Sequence, residues 1–178
     1  MCCLIVKPRG VEMPDYDTLR CVALANPDGF GFVSETQYHR SMSFESLYAK
    51  LKQVPKSENC IIHMRYATHG SKKVANCHPF VQEGYFFAHN GVLPIESKND
   101  KTDSEICFKE EIMPVVKAVG LSKASRFITN LTRGTSKFAI MHSGKVSMYG
   151  HFEKMDGVYY SNLRFRYLAG YYRFSNIS

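Results

Sequence analysis

Apolar residues in this chain come in short runs closed by polar or glycine-containing turns, the pattern of buried and half-buried strands. Residues 2–6 predict a short buried strand. "GFGFV" at 29–33 and "TQYHRSM" at 36–42 predict a strand pair, while "CIIHMR" (60–65) and "GYFFAH" (84–89) predict two further strands, each followed by a glycine-containing loop. Helical spacing appears between them. Leu19, Val22 and Ala23 share one face of residues 15–25, which stop at Asn26-Pro27; Ser43 opens a second helix with Phe44, Leu47 and Leu51 on one side, ending before Pro55. A third helix is expected from Asp103 to about residue 119, with Pro114 as its point of interruption, and a fourth over 122–131, opened by Ser122. "SKFAIMHSGKVSMYG" reads as a hairpin turning at Ser143-Gly144, and "GVYYSN" adds another strand. Strands, then helices, then strands predict an α+β fold with sheets covered by helices.

Length and composition narrow this to one domain spanning 1–178. The chain has 178 residues, 44% of them hydrophobic and 22% charged, enough to bury a core without staples and too apolar for disorder. The apolar run after Cys2 and Cys3 is only Leu4, Ile5 and Val6 before Lys7-Pro8, too short for a signal sequence or a membrane span. The expectation is a cytoplasmic protein with its six cysteines reduced, no membrane association, and an unused sequon at Asn130-Leu131-Thr132. Net charge is +7, and residues 121–178 carry 9 Lys/Arg against 2 Asp/Glu. Because no recognised nucleic-acid motif accompanies that excess, the basic end "LRFRYLAGYYRF" is read as an edge strand and tail with solvated arginines, not as a nucleic-acid surface.

Candidate chemistry sits where strands end, in "NPDGFGF" (26–32), "HMRYATHG" (63–70), "NCHPF" (76–80), "AHNGVL" (88–93) and "TDSE" (102–105). Asn90-Gly91 is by itself an ordinary tight turn; in a site it pairs a carboxamide donor with a backbone N–H, the elements of an oxyanion hole. Arg65 is a solvated strand end or a bidentate carboxylate clamp. Asp103 is a helix-opening acid, or in a shared pocket with Arg65 the partner of a substrate ammonium. Cys60-x-x-His63 is half of a zinc pattern, but its second half is missing, since Cys77 and His78 are adjacent. Cys21 and Cys107 fall on apolar helical faces and are expected in the core.

In this order, behind an N-terminal cysteine, "MCC", "DGFGF", "HMRYATHG", "NCHPF", "AHNGVL" and "TDSE" resemble the class II glutamine amidotransferases, the glutaminase domains of the N-terminal-nucleophile hydrolase superfamily. The single-domain form is the nearer likeness, and the later "KFAIMHSGKVSMYG" and "VYYSN" are similar to the sheet that closes such domains. The resemblance implies a four-layer αββα sandwich with two largely antiparallel sheets between helices. It implies that Met1 is removed and that Cys2 attacks the glutamine side-chain amide, with its own freed α-amine as base, ordinarily titrating at roughly 7.7–8.0. Asn90 and Gly91 would hold the oxyanion; Arg65 would bind the α-carboxylate and Asp103 the α-ammonium; Thr68 and His69 would line the pocket, and His78 and His89 would support it. Since side chains alternate along a strand, one of Cys2 and Cys3 should face glutamine and the other the core.

Glutamine is then the substrate, with a separate synthase as a possible partner docking on the basic C-terminal third, and neither cofactor nor metal enters the reading. Three positions depart from the family pattern. Cys3 stands where glycine is familiar, Tyr66 where tryptophan is common, and "ANPDGFGF" lacks an arginine found near the nucleophile in many synthases. The alternatives are an N-terminal-nucleophile hydrolase of another small amide and a catalytically weak binding module with the same fold.

Overall fold

The computed structural model describes residues 2–67, 71–97 and 101–167. Strand β1 (Cys3–Lys7) is buried along its whole length. It pairs antiparallel with β4 (Cys60–Met64) through five residue pairs, from Cys3 opposite Met64 to Lys7 opposite Cys60, and on its other side with β10 (Val158–Tyr160). β2 (Phe30–Ser34), β3 (Tyr38–Ser41) and β9 (Glu153–Met155) complete a six-stranded sheet in the order β3-β2-β4-β1-β10-β9. A second sheet of four strands runs β5 (Phe80–Gln82), β6 (Tyr85–Asn90), β7 (Lys137–His142) and β8 (Lys145–Tyr149). Every pairing in both sheets is antiparallel.

Alternation along these strands sorts side chains into three apolar layers. Leu4, Val6, Val33 and Ile61 meet Ala88, Ala139 and Met141 between the sheets. Cys3, Ile5, Phe32 and Ile62 point the other way, onto α1 (Tyr16–Ala25) and α2 (Phe44–Leu51), which bury Leu19, Val22, Leu47 and Leu51 there. Phe87, Phe138 and Ile140 pack under α3 (Asp103–Ile106), a π-helical segment Cys107–Ile112, α4 (Met113–Val119) and α5 (Leu121–Thr132). Helix, sheet, sheet, helix is the four-layer αββα sandwich that the family resemblance implies. Asp15 and Ser43 cap α1 and α2 by accepting from Thr18 N and Ser46 N, which is why the first two helices begin where the residue pattern places them.

The departures have local causes. Strands β5 and β9 are three residues each, too short to show a period. The third helix changes register in its π segment, before Pro114, and Pro114 occupies the first turn of α4, where its missing N–H has no partner to lose. Ser122 is not the cap of α5, which starts one residue earlier after Gly120. Cys107 is buried as expected, but Cys21 is only half-buried. Cys60 packs toward the α1–α2 layer while His63, three residues on, turns toward β6, so the two face opposite sides of one strand. No group of three or more His, Cys, Asp or Glu among the described residues is arranged to hold a metal, and no helix among them is long and apolar enough to cross a membrane.

One close approach joins the first sheet to the "NCHPF" loop. A Cβ at Gly31 would lie 2.0 Å from the carbonyl oxygen of His78 and 3.1 Å from His39 O, and backbone on both sides leaves nothing flexible to yield. Gly31→Ala is therefore expected to destabilise the fold by about 3 kcal/mol, lowering Tm by several degrees. Thermal unfolding followed by circular dichroism checks this; an unchanged Tm would mean the approach is not tight.

Candidate active site

Sheet register and packing bring six chain segments to one end of the sandwich. The start of β1 lies against the end of β4, whose other edge pairs with the start of β2. Ser161, just past β10, donates its backbone N–H to Leu4 O at 2.8 Å. Across the gap, β6 ends at Asn90, and α3 begins at Asp103. A cavity of about 540 Å³ opens there, walled by Cys2, Arg65, His78, Gly91 and Asp103 among others. Thr68 and His69 lie outside the described residues.

Cys2 is half-buried, and its Sγ lies 3.3 Å from Tyr66 N, whose N–H donates to it, and 3.5 Å from Tyr66 O. Burial pushes the thiol up, although the Tyr66 N–H and the Arg65 charge oppose the shift. The sulfur is thus protonated at neutral pH and needs a nearby base to become a nucleophile. Cys3 is 1% exposed and packs in the α1–α2 layer, so the two cysteines do diverge. Desolvation by burial raises its thiol to about 12.

The segment after β4 that carries Arg65 and Tyr66 is pinned by Asp28. Arg65 N–H donates to Gly29 O at 2.7 Å and Asp28 N–H to Arg65 O at 2.9 Å. Asp28 Oδ2 accepts from Ala67 N at 2.9 Å, and Oδ1 pairs with Lys72 Nζ at 2.6 Å. Burial alone would raise this carboxyl; hydrogen bonds from Lys72 and Ala67 N–H outweigh it and hold the group below its ordinary value. "DGFGF" was legible as a motif, but the task of Asp28 was not, because its partners lie 39 and 44 residues away. Arg65 itself is buried and donates from Nη1 to Ser71 O at 3.1 Å.

The opposite wall is braced through His89. Its Nδ1 is 2.8 Å from Ser104 Oγ and its Nε2 3.1 Å from Ser136 Oγ, and Ser136 donates to Val92 O. Gly91, at φ +148, packs so tightly that a Cβ would lie 2.5 Å from Ser136 Oγ and 2.9 Å from His89 Nε2. Asp103 Oδ2 accepts Leu93 N–H at 3.1 Å and Oδ1 accepts Ser104 N–H at 2.7 Å, so the acid closes the 91–93 turn while lining the cavity. Asn90, next to Gly91 in this wall, has a buried side chain, with Nδ2 donating to Ser161 Oγ at 2.7 Å and Oδ1 without a partner among the described residues.

His78 and His63 stack at 4.2 Å between ring centroids. His78 reaches the cavity wall, as does His89, and neither of its ring nitrogens has a partner among the described residues. His63 Nε2 meets His89 O at 2.9 Å. Burial lowers His63 to about 3 and His89 to about 4, and lowers His78 well below its ordinary value, with Arg65 and neighbouring imidazoles adding to the effect on His78. All three are neutral at physiological pH.

The family model for class II glutamine amidotransferases matches residues 29–148, more than half of the chain and most of this site. This chain belongs to that family. Among curated proteins it is similar to the isomerizing glutamine--fructose-6-phosphate aminotransferase of Rhizobium leguminosarum bv. viciae, at 34% identity over 74 residues, covering 39% of this chain and 12% of that one. Among solved structures it is similar to the glutamine phosphoribosylpyrophosphate amidotransferase of B. subtilis complexed with ADP and GMP, with TM-score 0.56 and 17% identity over 90% of this chain and 41% of that chain. The amidotransferase chain described here therefore spans well under half the length of either relative.

The neutral imidazoles set a testable pH dependence for this amidotransferase domain. Unfolded histidines titrate near about 6.5, whereas His89 and His63 hold off protonation until about 4 and about 3. Below pH 6.5 the unfolded chain binds protons that the folded chain refuses, so stability present above 6.5 is lost as pH falls. Urea midpoints from pH 7.5 to 4.5 should decline through this window, and His78→Leu should flatten the slope by about one proton. A midpoint constant from 6.5 to 5 would contradict neutral burial.

Proposed function

We propose that this chain hydrolyses the side-chain amide of glutamine to glutamate and ammonia through a thioester on Cys2. The observation that carries the reading is a single cavity in which Cys2 faces Arg65, Gly91 and Asp103. A thiol beside a guanidinium and a carboxylate matches a free amino acid whose reactive group lies beyond its head group: Arg65 binds the α-carboxylate and Asp103 the α-ammonium. Thr68 and His69 complete the pocket lining in this proposal, and His78 and His89 support it.

Removal of Met1 frees the Cys2 α-amine, which takes the Sγ proton that burial would otherwise retain. Sulfur bonds to the amide carbon, and the carbonyl electron pair moves onto oxygen, where Gly91 N–H and the Asn90 carboxamide stabilise it. The Cys2 ammonium returns its proton to the departing nitrogen as the C–N bond breaks, releasing ammonia and leaving the glutamyl thioester. Water then gives its proton to the same amine and attacks the thioester; the C–S bond breaks, glutamate leaves, and the thiol regains the proton. The acceptor of the ammonia belongs to a separate synthase, docked on the basic C-terminal third.

Purified chain shown by intact mass to begin at Cys2 should release glutamate from glutamine, and an electrophilic glutamine analogue should modify Cys2. Cys2→Ala should abolish both. Asp103→Asn should raise KM for glutamine by at least about 30-fold, since losing one partner of a buried charge pair costs about 2 kcal/mol or more, with little preference left for the free amino acid over an N-acylated one. No turnover by the chain lacking Met1, or modification at Cys77 instead, would overturn the reading.

A further inference from the structure

Ser161 joins the two halves of the site without touching the cavity. It follows β10, is 2% exposed, and its Oγ lies 2.9 Å from Leu4 N, 2.7 Å from Asn90 Nδ2 and, more distantly, 3.5 Å from Asn162 Nδ2. Asn162 Nδ2 also donates to Cys2 O at 3.0 Å. The dipeptide therefore grips the chain on both sides of Cys3 and, through one hydroxyl, the carboxamide of Asn90 on the other sheet.

A hydroxyl has two lone pairs and one proton. Leu4 N–H and Asn90 Nδ2 occupy the lone pairs, so toward both of them Ser161 is an acceptor. An acceptor selects the carboxamide orientation that turns Nδ2, not Oδ1, toward it. One N–H of Asn90 is then held by Ser161, and the other is left uncommitted among the described residues.

We propose that Ser161 is a positioning residue that sets the carboxamide orientation of Asn90 relative to Cys2. The kinetic consequence rests on the glutamine-hydrolysis reading above; the orientation itself does not.

The test has two arms. In 15N-labelled chain, one Asn90 side-chain N–H should exchange with solvent at least about tenfold more slowly than in Ser161→Ala, whose β1 and β4 backbone amides should stay protected. Equal exchange in the two proteins would overturn the proposal whether or not glutamine is a substrate. In the kinetic arm, Ser161→Ala should lower kcat about 10- to 100-fold, a fraction of the effect of deleting an oxyanion donor, with KM within about twofold. Ser161→Ala added to Asn90→Ala should cost nothing further, because a residue acting through another has no effect once that one is gone. Multiplicative losses would assign Ser161 an independent structural role. Wild-type chain that begins at Cys2 and turns over no glutamine would overturn the hydrolysis reading alone, with the exchange arm still deciding the placement of Asn90.

Discussion

The site depends on the pairing of β1 on both of its edges. Five residue pairs with β4 and further pairs with β10 leave the strand no freedom to slip, because a shift of one residue would turn Leu4 and Val6 out of the layer between the sheets and Cys3 and Ile5 into it. Cys2 sits one residue before the strand, on the same parity as Leu4, so the register that fills the inter-sheet core also aims its sulfur into the space where the sheets part. Antiparallel geometry does the rest. It places the end of β4 and the residues after β10 beside that sulfur, with the start of β2 one strand further on, and the second sheet contributes the end of β6 across the gap.

Burial then governs the chemistry available. Three imidazoles and a thiol are held uncharged by desolvation around one guanidinium, so none of the histidines serves as a ready proton carrier near neutrality. Charge is confined to groups with assigned partners: Asp28 with Lys72 and Ala67 N–H, Asp103 with Leu93 and Ser104 N–H. These acids hold the two loops that frame the cavity. In the proposed hydrolysis, a protonated thiol among neutral histidines leaves the α-amine of Cys2 itself as the base.

Much of this was legible in the sequence where chemistry is local. The Asp15 and Ser43 caps and the alternation of Leu4, Ile5 and Val6 each depend on neighbours a few residues away. So does the turn at Ser143-Gly144, where Ser143 has φ +48 and Gly144 φ +73. What misled the reading was also local: Ser122 looks like a cap but Gly120 ends the preceding helix, and the π segment at Cys107–Ile112 leaves the apolar spacing almost unchanged. The bracing residues were illegible for a different reason. Asp28, Ser136 and Ser161 are ordinary polar residues in loops and Ser104 one in the first turn of α3, and nothing about their neighbours in the chain says that Ala67, His89 or Asn90 will stand beside them.

By itself the sequence determined the kinds of residue the site would contain, their order, and the faces of strand and helix on which they would lie, since periodicity and capping act over a few residues. Tertiary structure alone decided which of them share a cavity and which stand behind its wall, because those distances are set by sheet register and by packing across dozens of residues. It also decided the protonation states, for desolvation belongs to the assembled interior and not to any residue in it. Cys3 shows the division most plainly: its alternation away from Cys2 follows from the strand, whereas the contact of its sulfur with Asn162 O exists only once β1 and β10 are paired.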